Sequence, residues 1–200
     1  MIFQLLLARI SFNQKSEVSA VDPAALREDR LNFYFIMALQ VGTKAPDFTL
    51  CYKSEGGLQI VKLSDNFGKK KTLLLFFPMA FTSTCTAEMC SISKEFETYD
   101  DLNTVVYGVS GDSPFSLEAW AQREGISVPL LSDYAHSVTK AYGVAFESFP
   151  PGANLPISDV PRRSAFVIDR NGIIQYSESS DNPKQLPNFE AIRAKLTNLD

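Results

Sequence analysis

The sequence predicts a layered α/β domain: a central mixed β-sheet flanked by helices. Two observations carry this. From Val41 onward, strand-type and helix-type apolar patterns alternate, as they do where helices pack on a sheet. Glycine-marked turn signals at Gly56-Gly57 and Asn171-Gly172 lie between strand-like runs and predict two hairpins, which bring antiparallel pairs into the sheet.

The elements follow in order. Asp47–Cys51 and Leu58–Leu63 flank the first glycine pair and read as a hairpin. Thr72–Phe77 is a continuous apolar run stopped by Pro78, the pattern of a strand buried on both faces. Cys85, Met89, Ile92, Phe96 and Tyr99 then recur at spacings of 4, 3, 4 and 3, which predicts one helix with an apolar stripe. Val105–Ser110 reads as a second buried strand. Leu117, Trp120 and Ala121 mark a second helix, ended by Gly125. Val128–Leu131 is a short strand, and Val138–Tyr142 a short helix stopped by Gly143. Glu147–Pro161 carries four prolines and one glycine and reads as a long loop of the kind that often serves function. Ser164–Asp169 and Ile173–Ser177 flank Asn171-Gly172 as the second hairpin, and Asn188–Leu199 reads as a closing amphipathic helix.

Residues 1–36 differ from the rest. Their apolar start lacks a basic region before it and is broken by Arg9, and their charges cancel. They read as a loosely attached, poorly ordered extension ahead of a domain spanning 37–200, with a weak targeting or membrane-surface segment as the other reading.

Composition narrows the function. Of 200 residues, 45% are apolar and 21% charged, enough for an ordinary core without metal or disulfide staples. Net charge is −4, and the one basic run, Lys69-Lys70-Lys71, is short. Nucleic-acid binding is therefore not expected. No apolar run approaches the roughly 18 to 20 residues that span a bilayer. A single histidine, His136, argues against histidine-based catalysis and zinc sites, and three cysteines against a disulfide framework. Glycine-rich nucleotide loops are absent, so neither cofactor nor metal is expected. Cysteine chemistry remains, and a reactive thiol suits a reducing compartment such as the cytoplasm.

Cys85 lies where a buried strand, ended by Pro78, passes through a Thr/Ser-rich loop into a helix. In a first helical turn, free N–H groups and the positive end of the helix dipole stabilise a thiolate, the nucleophilic form of cysteine. Thr82, Ser83 and Thr84 can cap the helix or donate to the sulfur. On position alone, an inert buried cysteine is the more common explanation, since free cysteine is usually buried.

Pro78-x-x-x-Thr82-x-x-Cys85 resembles the PxxxTxxC signature of peroxiredoxins, and Cys85-Thr-x-Glu88 matches its continuation. Arg163-Ser-Ala-Phe-Val-Ile-Asp-Arg-Asn-Gly is similar to that family's arginine-bearing strand and hairpin. Gly108-Val-Ser-Gly-Asp-Ser-Pro and Pro129-Leu-Leu-Ser-Asp are also similar to family sequences. The resemblance runs from about Val41 to Asp200. It implies a thioredoxin-like fold and a thiol-dependent peroxidase. Cys85 would attack hydrogen peroxide or an organic hydroperoxide and become a sulfenic acid. Thr82, the Cys85 backbone N–H and Arg163 would hold the peroxide oxygens, Pro78 would shield the thiolate, and Glu88 would orient the arginine. Arg162 and Arg163 are adjacent, so on a strand only one can face the site; spacing favours Arg163.

Cys90 leaves two recycling routes open. Its C-x4-C spacing from Cys85 resembles a bacterioferritin-comigratory-type subset in which the second cysteine resolves the first. In an intact helix that spacing gives about 9 Å between Cα atoms, beyond the roughly 7 Å limit for a disulfide, so the helix would have to unwind. Otherwise an external thiol reduces Cys85, as the similarity of the segment ending at Trp120 to the AhpE-type branch suggests. No cysteine follows Cys90 in these 200 residues, so a resolving cysteine nearer the C-terminus is not expected. Reductants implied are a thioredoxin, a glutaredoxin-like protein or a small thiol. A homodimer through Phe81, Phe115 and Phe149 is a further expectation. Cys51 reads as structural, and His136 as a surface or capping residue. Competing readings are a disulfide reductase, disfavoured by the absence of C-x-x-C, and a peroxide sensor or holdase using the same thiolate.

Overall fold

The computed structural model describes residues 37–199 except residue 154; the expected N-terminal extension, residues 1–36, lies outside them. The strands are β1 (Thr49–Ser54), β2 (Gly57–Lys62), β3 (Lys71–Phe76), β4 (Thr104–Ser110), β5 (Leu130–Ser132), β6 (Arg163–Ile168) and β7 (Ile174–Ser180). The helices are α1 (Ser83–Lys94), α2 (Phe96–Asp101), α3 (Pro114–Glu124), α4 (Ser137–Ala141) and α5 (Phe189–Thr197). Among the described residues the strands form one mixed sheet in the order β2-β1-β5-β4-β3-β6-β7. β3, β4 and β5 are parallel, joined by crossovers through α1–α2 and α3. The hairpins β1–β2 and β6–β7 add the antiparallel pairs, as the turn signals predict.

β3 shows how pattern becomes architecture. All six of its residues are buried. Alternating side chains point to opposite faces, so Leu73, Leu75 and Phe77 enter one core with Met89, Ile92, Leu117, Trp120 and Ile192. Leu74 and Phe76 enter the other, with Tyr107, Val138, Tyr142 and Phe166. Helices α1, α3 and α5 thus cover one face and α4 the other. Each large apolar side chain so buried contributes roughly 1.5–3 kcal/mol. α1 approaches the sheet closely at Gly108: a Cβ there would lie 2.7 Å from Leu130 and 3.1 Å from the Met89 sulfur.

Several details differ from expectation. The stripe from Cys85 to Tyr99 is two helices, because the chain breaks at Glu95 (φ −99°, ψ 10°). The apolar spacing survives the break, since Tyr99 still reaches the core of α1. The second hairpin is wider than a two-residue turn: Asp169 Oδ1 accepts from the N–H groups of Asn171 and Ile173. His136 occupies the N-cap position of α4 without a side-chain cap bond. Asp133 caps instead, accepting from Val138 N and Thr139 N at 3.2 and 2.7 Å. Phe149 is half-buried and packs on Phe146, 5.5 Å between centroids. No described helix is long and apolar enough to cross a membrane.

Candidate active site

The topology explains why residues distant in sequence converge. β3 ends at Phe76 and delivers Pro78, which is buried, to the loop preceding α1. β6 runs antiparallel to β3 with Ser164 opposite Phe76. Arg163, the first residue of β6, therefore emerges at the same sheet end as that loop. β4 ends there too, and Asp112 just beyond it accepts from Ala80 N at 2.9 Å and from the Ser110 hydroxyl at 2.8 Å. The loop is thereby tied to the sheet immediately before the helix. C-terminal ends of parallel strands are where open α/β sheets usually build their sites.

Cys85 is the third residue of α1 and is 1% exposed. First-turn N–H groups lack intrahelical acceptors, so the helix end presents partial positive charge to the thiol. Arg163, itself buried, directs Nη2 to Cys85 Sγ at 3.1 Å. Its Nη1 pairs with Glu88 Oε2. Its Nε and Nη2 donate to the Pro183 carbonyl at 3.1 and 2.9 Å. Three anchors fix the guanidinium plane beside the sulfur, a use of the arginine fork that lysine cannot copy.

Glu88, one turn beyond Cys85 on α1, is fully buried, and its Oε1 has no hydrogen-bond partner among the described residues. Burial pushes its carboxyl up to about 7 against the opposing pull of Arg163.

Thr82 occupies the N-cap position of α1 and is exposed. Its hydroxyl makes no cap bond and donates instead to the Met79 carbonyl at 2.9 Å. Phe81 before it is half-exposed and left-handed (φ 61°). Arg162 does not join the Cys85–Arg163–Glu88 cluster; it pairs with Asp181 at 3.1 Å and lies over the Phe146 ring. Cys90 lies further along α1, its Sγ 3.6 Å from the Glu124 carbonyl. Cys51 is half-buried in β1. Among the described residues no group of three or more His, Cys, Asp or Glu side chains is placed to hold a metal.

The structure thus brings Cys85, Glu88 and Arg163 together and sets Pro78 and Thr82 in the loop above them. Sequence reasoning missed two participants. The Pro183 carbonyl is backbone, which no motif reveals. Asp112 lies in the Gly-Asp-Ser-Pro run at the end of β4, a visible signal without an assigned role.

Comparison with known proteins places the chain among relatives of one family. Residues 41–177 match the model of the AhpC/TSA family. The chain is 38% identical over 144 residues to "2-Cys peroxiredoxin BAS1, chloroplastic" of Hordeum vulgare, covering 68% of this chain and 64% of that protein. It is 35% identical over 142 residues to "Alkyl hydroperoxide reductase E" of Mycobacterium bovis, covering 70% and 85%. The structure is similar to that of reduced 2-Cys peroxiredoxin from Plasmodium vivax, with TM-score 0.69 and 28% identity over 79% of this chain and 80% of that one. It is also similar to Enterococcus faecalis AhpC, with TM-score 0.68 and 27% identity over 80% and 91%. The chain spans 64% of the barley relative's length and 51% of its spinach counterpart's. A family match over most of the chain, on the fold and around the cysteine just described, shows that this protein belongs to the AhpC/TSA family of peroxiredoxins.

Proposed function

We propose that the protein is a thiol-dependent peroxidase that reduces hydrogen peroxide and organic hydroperoxides at Cys85. The observation that carries this is the 3.1 Å contact between Arg163 Nη2 and Cys85 Sγ in the first turn of a helix, with both residues buried. The thiolate is the nucleophilic form of cysteine. The thiolate attacks one peroxide oxygen; the S–O bond forms as the O–O bond breaks, and the second oxygen leaves as alkoxide or hydroxide and takes a proton. Donors aimed at the developing negative charge lower the barrier. Arg163 and the Cys85 N–H supply them. Thr82 would exchange its bond to the Met79 carbonyl for one to the peroxide. Pro78 keeps water from the thiolate, and Glu88 with the Pro183 carbonyl positions the guanidinium.

Cys90 then resolves the sulfenic acid. Its thiol sulfur bonds to Cys85 Sγ, the S–O bond breaks, and the departing oxygen leaves as water. Both cysteines lie on one continuous helix, about 9 Å apart at Cα in ideal geometry, so the first turns of α1 must open. Helix ends open at low free-energy cost. The bond from Cys90 to the Glu124 carbonyl favours a second reading, in which α1 stays intact and an external thiol reduces Cys85 directly. In either case the reductant is a thioredoxin, a glutaredoxin-like protein or a small thiol in a reducing compartment such as the cytoplasm. Exposed Phe81 and Phe115 suit a homodimer contact beside the site.

The test is peroxide consumption with each reductant class, in wild type and Cys85→Ser. Loss of turnover in the variant is expected. Retained turnover would overturn the assignment of Cys85.

A further inference from the structure

Two clefts adjoin along α4 and β1. The larger, about 630 Å³, is lined mainly by apolar side chains, among them Leu50, Cys51, Ile60, Pro114, Phe115 and Tyr134. Ile60, at 76%, and Tyr134, at 72%, are the two most exposed large apolar side chains among the described residues, and Phe115 is 59% exposed. Ile60 lies opposite Cys51 in the β1–β2 hairpin, so the two side chains share a face of the sheet. Monomeric soluble proteins rarely leave a contiguous apolar patch of this kind uncovered. The smaller cleft, about 190 Å³, shares Thr49 and Ser137 with the larger and extends to Ala141 and Tyr142. The described chain starts at that end. Leu39 N donates to the Tyr142 carbonyl at 3.2 Å, and a Cβ on Gly143 would lie 2.1 Å from the Met37 carbonyl oxygen. Residues 1–36 therefore join the domain at the head of a track that leads into the apolar cleft.

We infer that the apolar cleft beside Cys51 is the docking site of the chain's own first segment, Ile2–Phe12, which covers Cys51, Ile60 and Tyr134. That segment has seven large apolar side chains in eleven positions and a single charge, Arg9. Moving such side chains from water into a cleft of like chemistry is the driving force. The intervening residues, Asn13–Ile36, number 24 and reach at most about 80 Å. A domain of this size is roughly 40 Å across, so the connection imposes no strain. Because the two parts belong to one chain, the encounter is intramolecular and the effective concentration high. Phe115 also belongs to the homodimer contact proposed above, so the docked segment and a second copy exclude one another there. The inference does not rest on the peroxidase reading.

The experiment uses the full chain in two ways. First, Phe3 is replaced by the photo-crosslinking residue p-benzoylphenylalanine, the dilute protein is irradiated, and the crosslinked peptides are mapped by mass spectrometry. Crosslinks are expected within species of single-chain mass, to the segments around Ile60, Phe115 and Tyr134. Second, alkylation of reduced protein by N-ethylmaleimide is followed at Cys51 and at Cys90 by peptide mass, in wild type, Leu6→Asp and Leu6→Met. Loss of a large apolar contact predicts Cys51 alkylation about three- to tenfold faster in Leu6→Asp. Leu6→Met, which keeps the apolar volume, stays near wild type, and Cys90 is unchanged in all three. Crosslinks that fall outside the cleft overturn the inference. So do crosslinks found only at twice the chain mass, which would give the cleft to a second copy. Equal Cys51 rates in wild type and Leu6→Asp overturn it as well, as does acceleration of Cys90 in step with Cys51, which would mean general loosening of the domain.

Discussion

Arg163 Nη2 lies 3.1 Å from Cys85 Sγ although 78 positions separate the two residues. The same guanidinium is paired with Glu88 and held by the Pro183 carbonyl. One cation is thus shared between a carboxyl group and a thiol, in a place from which water is excluded. Charge-assisted bonds of this kind are about twice as strong as neutral ones, and the arrangement makes specific demands on substitution.

Arg163→Lys keeps the charge but loses the fork. An ammonium cannot hold Glu88, Pro183 and the sulfur together. The second-order rate of Cys85 oxidation by hydroperoxide is expected to fall about 10- to 100-fold, the loss of a charge-assisted bond read as a barrier. Stopped-flow oxidation under pseudo-first-order peroxide measures it.

Glu88 gives the fold a pH dependence. Burial raises its carboxyl from 4.5 to about 7 in the folded chain. Between those values the folded state holds a proton that the unfolded state has released, so stability falls as pH rises from about 4.5 to 7 and levels above. Glu88→Gln removes this contribution. Denaturant unfolding across pH 5 to 8 should give a flatter profile for the variant than for wild type; parallel profiles would refute the ionisation assigned to Glu88.

Cys90→Ser separates the two recycling routes. After one equivalent of hydrogen peroxide, wild type should lose about two hydrogens in mass and the variant should gain one oxygen. If both gain one oxygen, α1 stays closed and an external thiol is the reductant.

Asp112 holds the loop before α1 through the Ala80 N–H and the Ser110 hydroxyl. Asp112→Ala leaves the buried end of that loop without its acceptor, at about 1–3 kcal/mol. Thermal unfolding should shift down by several degrees. Peroxide reactivity should fall several-fold as Thr82 and the first turn of α1 lose their fixed position.

Much of this was legible in the residues. The buried strand ending at Pro78, the first-turn cysteine and both hairpins follow from apolar periodicity and turn chemistry, which are local. That Arg163 rather than Arg162 reaches Cys85 was legible as well: strand alternation admits only one of two neighbours to a face, and spacing to the Ser164–Asp169 run favours Arg163. The break at Glu95 was not, since the apolar stripe runs through it in register. Nor was the capping of α4 by Asp133, where His136 lay nearer the helix start.

The sequence by itself determined most of the elements and placed a cysteine in the first turn of a helix, because propensity and periodicity act over a few residues. Only the tertiary structure decided which side of the sheet each helix covers, that Pro183 offers a carbonyl to Arg163, and that Thr86, Cys90 and Ser93 meet α3 at a constant offset of 34. Those contacts join segments distant along the chain. They arise from strand order and helix packing, which depend on how the whole apolar surface is buried at once.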